Sequence, residues 1–101
     1  MHPSGYAALV TGGGSGLGRA TAAKLAALGA KVAILDINIE AAAEVATKIG
    51  GIAIACDVVD ADGTAAAIAQ ARDRFGPARI LINCAGIAPA RRVVEIGRAH
   101  V

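Results

Sequence analysis

Residues 11–18, with the sequence TGGGSGLG, constrain the fold of this chain more than any other segment, because five of the eight are glycine. The apolar run at 6–10 before them predicts a short buried strand. After them, apolar residues recur at helical spacing until Gly29, namely Leu17, Ala20, Leu25 and Leu28. Glycines let backbone approach a ligand closely, and the N-terminus of the helix that follows attracts negative charge. The segment therefore predicts a phosphate site between a strand and an amphipathic helix.

The spacing of the glycines distinguishes between nucleotide-binding motifs. A P-loop requires Lys and then Ser or Thr after its last glycine, whereas Arg19 and Ala20 follow Gly18. The G-x-G-x-x-G fingerprint fails because its third glycine would fall on Leu17 or Arg19. A flexible linker is disfavoured, since an apolar strand and an amphipathic helix flank the segment tightly. The pattern that fits is T-G-x-x-x-G-x-G, formed by Thr11, Gly12, Gly16 and Gly18.

The rest of the chain alternates predicted strands and helices. Further strands are expected at 31–35, 52–56 and 79–83. One helix is expected from about Ile39 to Ile49, before two glycines, and another from an N-cap at Asp60 to Phe75, before Gly-Pro. This β-α-β-α-β-α-β order predicts an α/β fold, with a parallel sheet covered by helices on both faces.

Composition excludes several functional classes. No run of about 18 apolar residues is present, and residues 1–4 lack the charged and apolar regions of a signal peptide, so we expect a cytoplasmic protein that does not enter a membrane. A net charge of +2 with 2% aromatic residues provides neither a basic stripe nor stacking platforms for nucleic acid. The two histidines, at opposite ends of the chain, and the two cysteines form no metal-ligand pattern.

The T-G-x-x-x-G-x-G turn resembles the cofactor turn of the short-chain dehydrogenase/reductase family, and the resemblance covers nearly the whole chain. It implies a Rossmann-type sheet that binds NAD(P), and an enzyme that transfers hydride between nicotinamide and a secondary alcohol or ketone. The glycine turn would then supply the first cofactor contacts. By resemblance these are Thr11, Gly12, Ser15, Gly16, Leu17 and Gly18.

Asp36 is the candidate ligand of the adenosine ribose. It ends the second predicted strand about 18 residues beyond Gly18, close to the spacing of ~20 expected for such an acid. The alternative is a solvated turn aspartate or a helix cap. NADP-binding relatives usually carry a basic residue just before the second glycine of the motif or just after the acid, and those positions hold Ser15 and Ile37. The resemblance therefore implies NAD as the cofactor, with Ile37 beside it.

Two further strand ends complete the candidate site. By resemblance, Asp57 would meet the adenine amino group and Val58 would line the ring, although Asp57 could also be a simple turn aspartate. The sequence NCAG at 83–86 is similar to the family's NNAG element, with Cys84 in place of the second Asn. The residues that match this element, which lets backbone approach the cofactor ribose, are Asn83, Ala85 and Gly86.

The cysteines are not expected to form a disulfide. If the strands take the family order 3-2-1-4, Cys56 and Cys84 lie three strand positions apart, or about 14 Å, whereas a disulfide needs Cα atoms within ~7 Å. Buried, reduced thiols are the expected state, consistent with cytoplasm.

No catalytic residues are assigned. The family's catalytic Ser and Tyr-x-x-x-Lys lie downstream of Gly86, and the single tyrosine, Tyr6, has Val10 at the position of the lysine. We expect residues 1–94 to be the cofactor-binding half of a longer, homo-oligomeric enzyme, inactive alone, and residues 95–101 to be a translated sequencing adapter. The motifs look most like type 2 3-hydroxyacyl-CoA dehydrogenases. The alternative function is a dinucleotide-binding module without catalysis.

Overall fold

The computed structural model describes residues 5–14 and 16–84. The strands are β1 (Ala7–Thr11), β2 (Lys31–Asp36), β3 (Ile52–Ala55) and β4 (Ala78–Asn83). The helices are α1 (Gly16–Ala27), α2 (Ile39–Ile49) and α3 (Ala61–Phe75). The structure therefore confirms the predicted alternation. Several sequence predictions lie outside the described residues, namely those for Ser15, Ala85, Gly86 and residues 95–101.

The four strands form one parallel sheet in the order β3-β2-β1-β4, as expected. Thr11, the last residue of β1, is in register with Leu35 on one side and Asn83 on the other. Asp36 is in register with Ala55 at the end of β3. The carboxyl ends of all four strands consequently meet at one edge of the sheet, which is where open α/β sheets bind their ligands.

Both faces of the sheet are buried, because successive side chains of a strand point to opposite faces and helices cover each of them. On one face, Val10 and Ile34 pack with Ala22 of α1 and Val45 of α2. On the other face, the strand residues pack against α3, and the buried members of this cluster are Leu9, Ala33, Leu35, Ile54, Cys56, Ala67 and Ala71. The prediction of helices on both faces is confirmed.

Helix α1 turns a different face to the sheet from the one its leucines indicate. Leu17 is 76% exposed and Leu28, just beyond the helix, is 38% exposed, whereas Gly18 and Ala22 are buried. Of the four apolar residues at helical spacing, Leu25 packs against the core. Small residues on the buried side allow the helix backbone to approach the sheet closely, so the amphipathic stripe was predicted at the wrong angle.

The other two helices end where the sequence predicts, and their N-caps differ in side-chain bonding. Asp60 occupies the N-cap position of α3, as predicted, although its side chain makes no capping hydrogen bond. The first turn of α2 is capped by Asn38, whose side-chain oxygen accepts a hydrogen bond from the Ala41 N–H. At its other end, α2 stops at Gly50 in the left-handed conformation.

The free cysteines follow opposite edges of the sheet, Cys56 after β3 and Cys84 after β4. This placement agrees with the geometric argument against a disulfide between them. Cys56 is buried and Cys84 is half-buried. No helix within residues 5–14 and 16–84 has the length and apolar character needed to cross a bilayer.

Candidate functional site

The glycine turn joins β1 to α1 at the carboxyl edge of the sheet. Gly12 and Gly16 have φ angles of 66° and 57°, a left-handed conformation that side chains disfavour. The Gly12 N–H donates to the Leu35 carbonyl oxygen at 2.8 Å, which fastens the turn to β2. A Cβ atom on Gly18 would collide with the Gly12 carbonyl, so α1 packs directly on the turn. The glycine pattern is therefore a geometric requirement of this connection.

The N-terminus of α1 opens at this turn and is suited to an anion. The helix begins at Gly16, and its first turn contains no acidic side chain. The first N–H groups of a helix lack partners within the helix and carry the positive end of its dipole. Together with the close approach that the glycines allow, this arrangement can hold a diphosphate.

Thr11 and Asn83 tie the ends of β1 and β4 together beside the turn. The Thr11 hydroxyl donates to the Asn83 side-chain oxygen at 2.6 Å, and the Cys84 N–H donates to the Thr11 carbonyl oxygen at 2.9 Å. Thr11 is only 3% exposed, so its hydroxyl requires such a partner. Sequence reasoning assigned both residues to the site but missed the bond between them, which their places on neighbouring strands made possible.

Asp36 links the end of β2 to the glycine turn. One carboxylate oxygen, Oδ2, accepts from the Gly14 N–H at 2.9 Å, and the other, Oδ1, accepts from the Asn38 N–H at 3.0 Å. A Cβ atom on Gly14 would lie 2.7 Å from Oδ2, so the contact requires glycine there. The next residue, Ile37, is 73% exposed at the same edge. The structure therefore places the predicted ribose ligand beside the predicted phosphate site.

Asp57 has a more local environment. Its Oδ1 accepts from the Val59 N–H at 3.0 Å, and its carbonyl oxygen accepts from the Asp60 N–H at 2.9 Å. These bonds are typical of a turn aspartate, which its sequence position allowed as the alternative to an adenine contact. Val58 is half-buried and packs against the α3 side of the core. Asp57 itself is exposed, and its carboxylate remains accessible at the carboxyl edge of the sheet.

Cys56, just before this turn, is not set up as a nucleophile. Its Sγ lies 3.6 Å from the Thr64 hydroxyl oxygen in the core. Burial raises the pKa of the Cys56 thiol, which outweighs the lowering effect of the Thr64 hydrogen bond, while the nearby charges of Asp57 and Asp60 raise it further. The thiol therefore stays protonated at neutral pH, whereas a cysteine nucleophile has to be a thiolate.

The carboxyl edge of the sheet offers two kinds of polar group. Its backbone N–H groups can bind phosphate, and its carboxylate oxygens can accept from hydroxyl or amino groups. Within the described part of the chain, no three His, Cys, Asp or Glu residues come together as a metal site. Nor does this part present a Tyr-x-x-x-Lys sequence. The N–H groups and carboxylates make this edge a candidate binding platform for a nucleotide.

Comparison with known proteins assigns this platform to a family. The sequence profile described as short chain dehydrogenase matches residues 6–100. Sorbitol dehydrogenase from Cereibacter sphaeroides is 43% identical over 100 residues, which are 97% of this chain and 39% of that protein. The 3-hydroxyacyl-CoA dehydrogenase type-2 of Drosophila melanogaster is 44% identical over 92 residues, which are 89% of this chain and 36% of that protein.

A solved structure supports the same assignment. A short chain dehydrogenase/reductase from Burkholderia phymatum, determined in complex with NAD, superposes with a TM-score of 0.77 at 31% identity. The match covers 80% of this chain and 31% of that one. The chain thus spans well under half the length of the relatives it matches.

Proposed function

Because this chain belongs to the short-chain dehydrogenase/reductase family, we propose that it is the cofactor-binding part of an NAD-dependent oxidoreductase. The bound NAD would supply the nicotinamide that exchanges hydride with a secondary alcohol or its ketone. The observation that carries the proposal is the hydrogen bond from the Gly14 N–H to Asp36, which joins the acid proposed to bind the ribose to the turn proposed to bind the phosphates.

The residues at the carboxyl edge fit the parts of a dinucleotide. The glycine turn and the N-terminus of α1 would hold the diphosphate, and Asp36 the adenosine ribose. Asp57 and Val58 would meet the adenine, with Ile37 beside it, and the element that starts at Asn83 would lie along the second ribose. The absence of a side chain at Gly18 supports this assignment, because it lets the start of α1 pack directly against the Gly12 backbone of the turn.

We assign NAD rather than NADP on the basis of charge. A carboxylate can accept hydrogen bonds from both ribose hydroxyls of NAD, whereas the 2′-phosphate of NADP would bring a like charge against Asp36. The neutral residues Ser15 and Ile37 stand where a basic residue would relieve that repulsion. Loss of a charge-assisted hydrogen bond costs about 1.5 to 3 kcal/mol, so we expect at least about a tenfold preference for NAD.

For the substrate of the whole enzyme we propose a secondary alcohol, with a 3-hydroxyacyl-CoA as the first candidate. Similarity supports this class, since the names of two relatives specify sorbitol and a 3-hydroxyacyl-CoA, and both molecules carry a secondary alcohol. The free cysteines support a cytoplasmic location. We further propose that the whole enzyme is a homo-oligomer.

We propose that the 101-residue chain binds NAD without turning over substrate. Its single tyrosine, Tyr6, is followed four residues later by Val10, so the chain provides neither the tyrosine acid nor the lysine of the family's Tyr-x-x-x-Lys. The gene downstream of the codon for Gly86, read from an independent clone, would distinguish an enzyme from a dinucleotide-binding module, because that motif is either encoded there or not.

The test is a calorimetric titration of the purified chain with NAD and NADP, followed by an assay for reduced nicotinamide. We expect NAD to bind at least about tenfold more tightly than NADP. We expect no reduced cofactor when sorbitol or a 3-hydroxyacyl-CoA is added with NAD. Equal affinities would contradict the assignment of Asp36, and turnover would show that this chain contains a complete catalytic site.

A further inference from the structure

Asn38 connects the first turn of α2 to the ribose-binding acid. Its side-chain oxygen accepts from the Ala41 N–H at 3.1 Å, and its carbonyl oxygen accepts from the Ala42 N–H at 3.1 Å. Its own N–H donates to Asp36 Oδ1 at 3.0 Å. The helix cap therefore holds in place a backbone group that binds the Asp36 carboxylate.

The glycine turn touches the same part of α2. A Cβ atom on Gly14 would lie 3.0 Å from the Ala41 Cβ and 3.1 Å from the Ala42 nitrogen, both tighter than ordinary contact. Gly14 also donates its N–H to Asp36 Oδ2 at 2.9 Å. The turn, the carboxylate and the capped end of α2 thus form one packed unit, which we call the Asp36 clamp and define as Gly14, Asp36 and Asn38.

We propose that Asn38 is a positioning residue that sets cofactor preference through Asp36. This inference rests on the proposed function, in which Asp36 binds the adenosine ribose. An ionised carboxylate has about four acceptor sites, so the two N–H bonds of the clamp leave others for ribose hydroxyls. When each of the two oxygens is held by its own N–H, the carboxylate is oriented before the cofactor arrives and loses less freedom on binding.

The clamp should affect the two cofactors unequally. NAD uses the oriented carboxylate as a hydrogen-bond acceptor, so a displaced Asp36 weakens its binding. NADP places a phosphate against the same carboxylate, so displacement removes repulsion and spares its binding. A loss of helix stability alone would change both affinities in the same proportion.

The experiment compares three substitutions in the full chain. Asn38→Ala removes the capping oxygen, and Asn38→Gly removes it at a smaller cost to the helix, because glycine is tolerated at an N-cap. For both we expect NAD to bind about three- to tenfold more weakly, with NADP changed by less than about twofold. Asn38→Ser restores a capping oxygen and should restore the preference for NAD.

Asp60→Ala is the matched control, because Asp60 occupies the N-cap position of α3 without a side-chain capping bond. It should leave the ratio of the two dissociation constants unchanged. Unchanged ratios in both Asn38→Ala and Asn38→Gly, or equal weakening of both cofactors, would overturn the proposal.

A second measurement is independent of the cofactor. The Gly14 N–H is hydrogen-bonded to Asp36, so its hydrogen exchange, measured by NMR, should be faster in Asn38→Gly than in the unsubstituted chain and unchanged in Asp60→Ala. If the chain binds no NAD, the proposed function fails, while this measurement still tests the clamp. Unaltered Gly14 exchange in Asn38→Gly would show that Asn38 does not position the carboxylate.

Discussion

Two turns of this protein start with an aspartate at the end of a strand and lead into a helix, but they differ in what the aspartate holds. After β2, the Asp36 carboxylate bonds the Gly14 N–H, 22 residues away in sequence, and the following helix is capped by Asn38. After β3, the Asp57 carboxylate bonds the Val59 N–H in its own turn, and the N-cap residue Asp60 makes no side-chain capping bond.

The positions of the two strands explain this difference. β2 lies inside the sheet beside β1, so its end is next to the glycine turn that follows β1. β3 lies at the edge of the sheet and has β2 as its neighbour. Both aspartates therefore bond the N–H two residues ahead in their own turn, and Asp36 gains a tertiary bond in addition because the glycine turn is within reach.

The largest expected effect is the contrast between Gly14→Ala and Gly63→Ala. A methyl group at Gly14 would meet Asp36 Oδ2 at 2.7 Å and also the Ala42 backbone nitrogen at 3.1 Å. Backbone cannot move aside cheaply, so we expect a loss of about 2 to 3 kcal/mol in the free energy of unfolding, measured with urea. NAD binding should weaken as well.

Gly63→Ala is the matched change at the other turn. A methyl group there would meet the Asp60 carboxylate, with Oδ2 at 2.7 Å, but this exposed side chain can rotate away. Because alanine favours helix over glycine, we expect stability to be unchanged or raised by up to about 1 kcal/mol. If both variants lost stability equally, the distinction between the two turns would be wrong.

An intermediate effect is expected from removing each aspartate. Asp36→Ala should weaken NAD about tenfold or more and spare NADP, because the carboxylate both binds the ribose and repels the 2′-phosphate. Asp57→Ala should weaken both cofactors by about threefold, since each carries the same adenine. Titration of both variants with NAD and with NADP measures the two dissociation constants and their ratio. A changed ratio in Asp57→Ala, or an unchanged one in Asp36→Ala, would reverse the roles assigned here.

The smallest effect concerns pH and the β3 turn. The pKa of Cys56 is raised, chiefly by burial. As the pH rises, the unfolded chain therefore loses the thiol proton at a lower pH than the folded chain does. Its contribution to stability is complete below the ordinary thiol pKa of 9.0 and declines as the pH rises above it. Urea midpoints on either side of that pH should show a decline in the native chain and a weaker one in Cys56→Ala. Parallel profiles would show that this thiol titrates alike in both states.

Local signals predicted most of the fold. Glycine and proline stops and apolar periodicity placed the three helices and four strands of residues 5–14 and 16–84, and α2 runs from Ile39 to Ile49 as expected. The buried face of α1 was predicted incorrectly. The bulky Leu17 suggested burial, but Gly18 packs closely on the glycine turn and Leu17 is exposed. Periodicity records hydrophobicity, whereas close approach to a sheet also depends on the smallness of the buried residues.

Local signals were weaker for hydrogen bonds at the site. Asp60 and Asn38 are both good N-cap residues by type, yet only the second of them caps its helix through its side chain. The bonds from Thr11 to Asn83 and from Gly14 to Asp36 join residues far apart in the chain. Residue type shows that such groups can bond, but not which partner they meet.

The sequence by itself determined the order of the elements, the glycine turn and the polar residues that end each strand, because these depend on periodicity, chain breakers and motif spacing. The order 3-2-1-4 followed from family resemblance and is confirmed in the fold. Only the tertiary structure decided that the Asp36 carboxylate bonds the glycine turn as well as its own turn, whereas the Asp57 carboxylate bonds the Val59 N–H of its own turn. The physical reason is that a hydrogen bond needs donor and acceptor within about 3 Å, and strand adjacency determines which distant residues come that close.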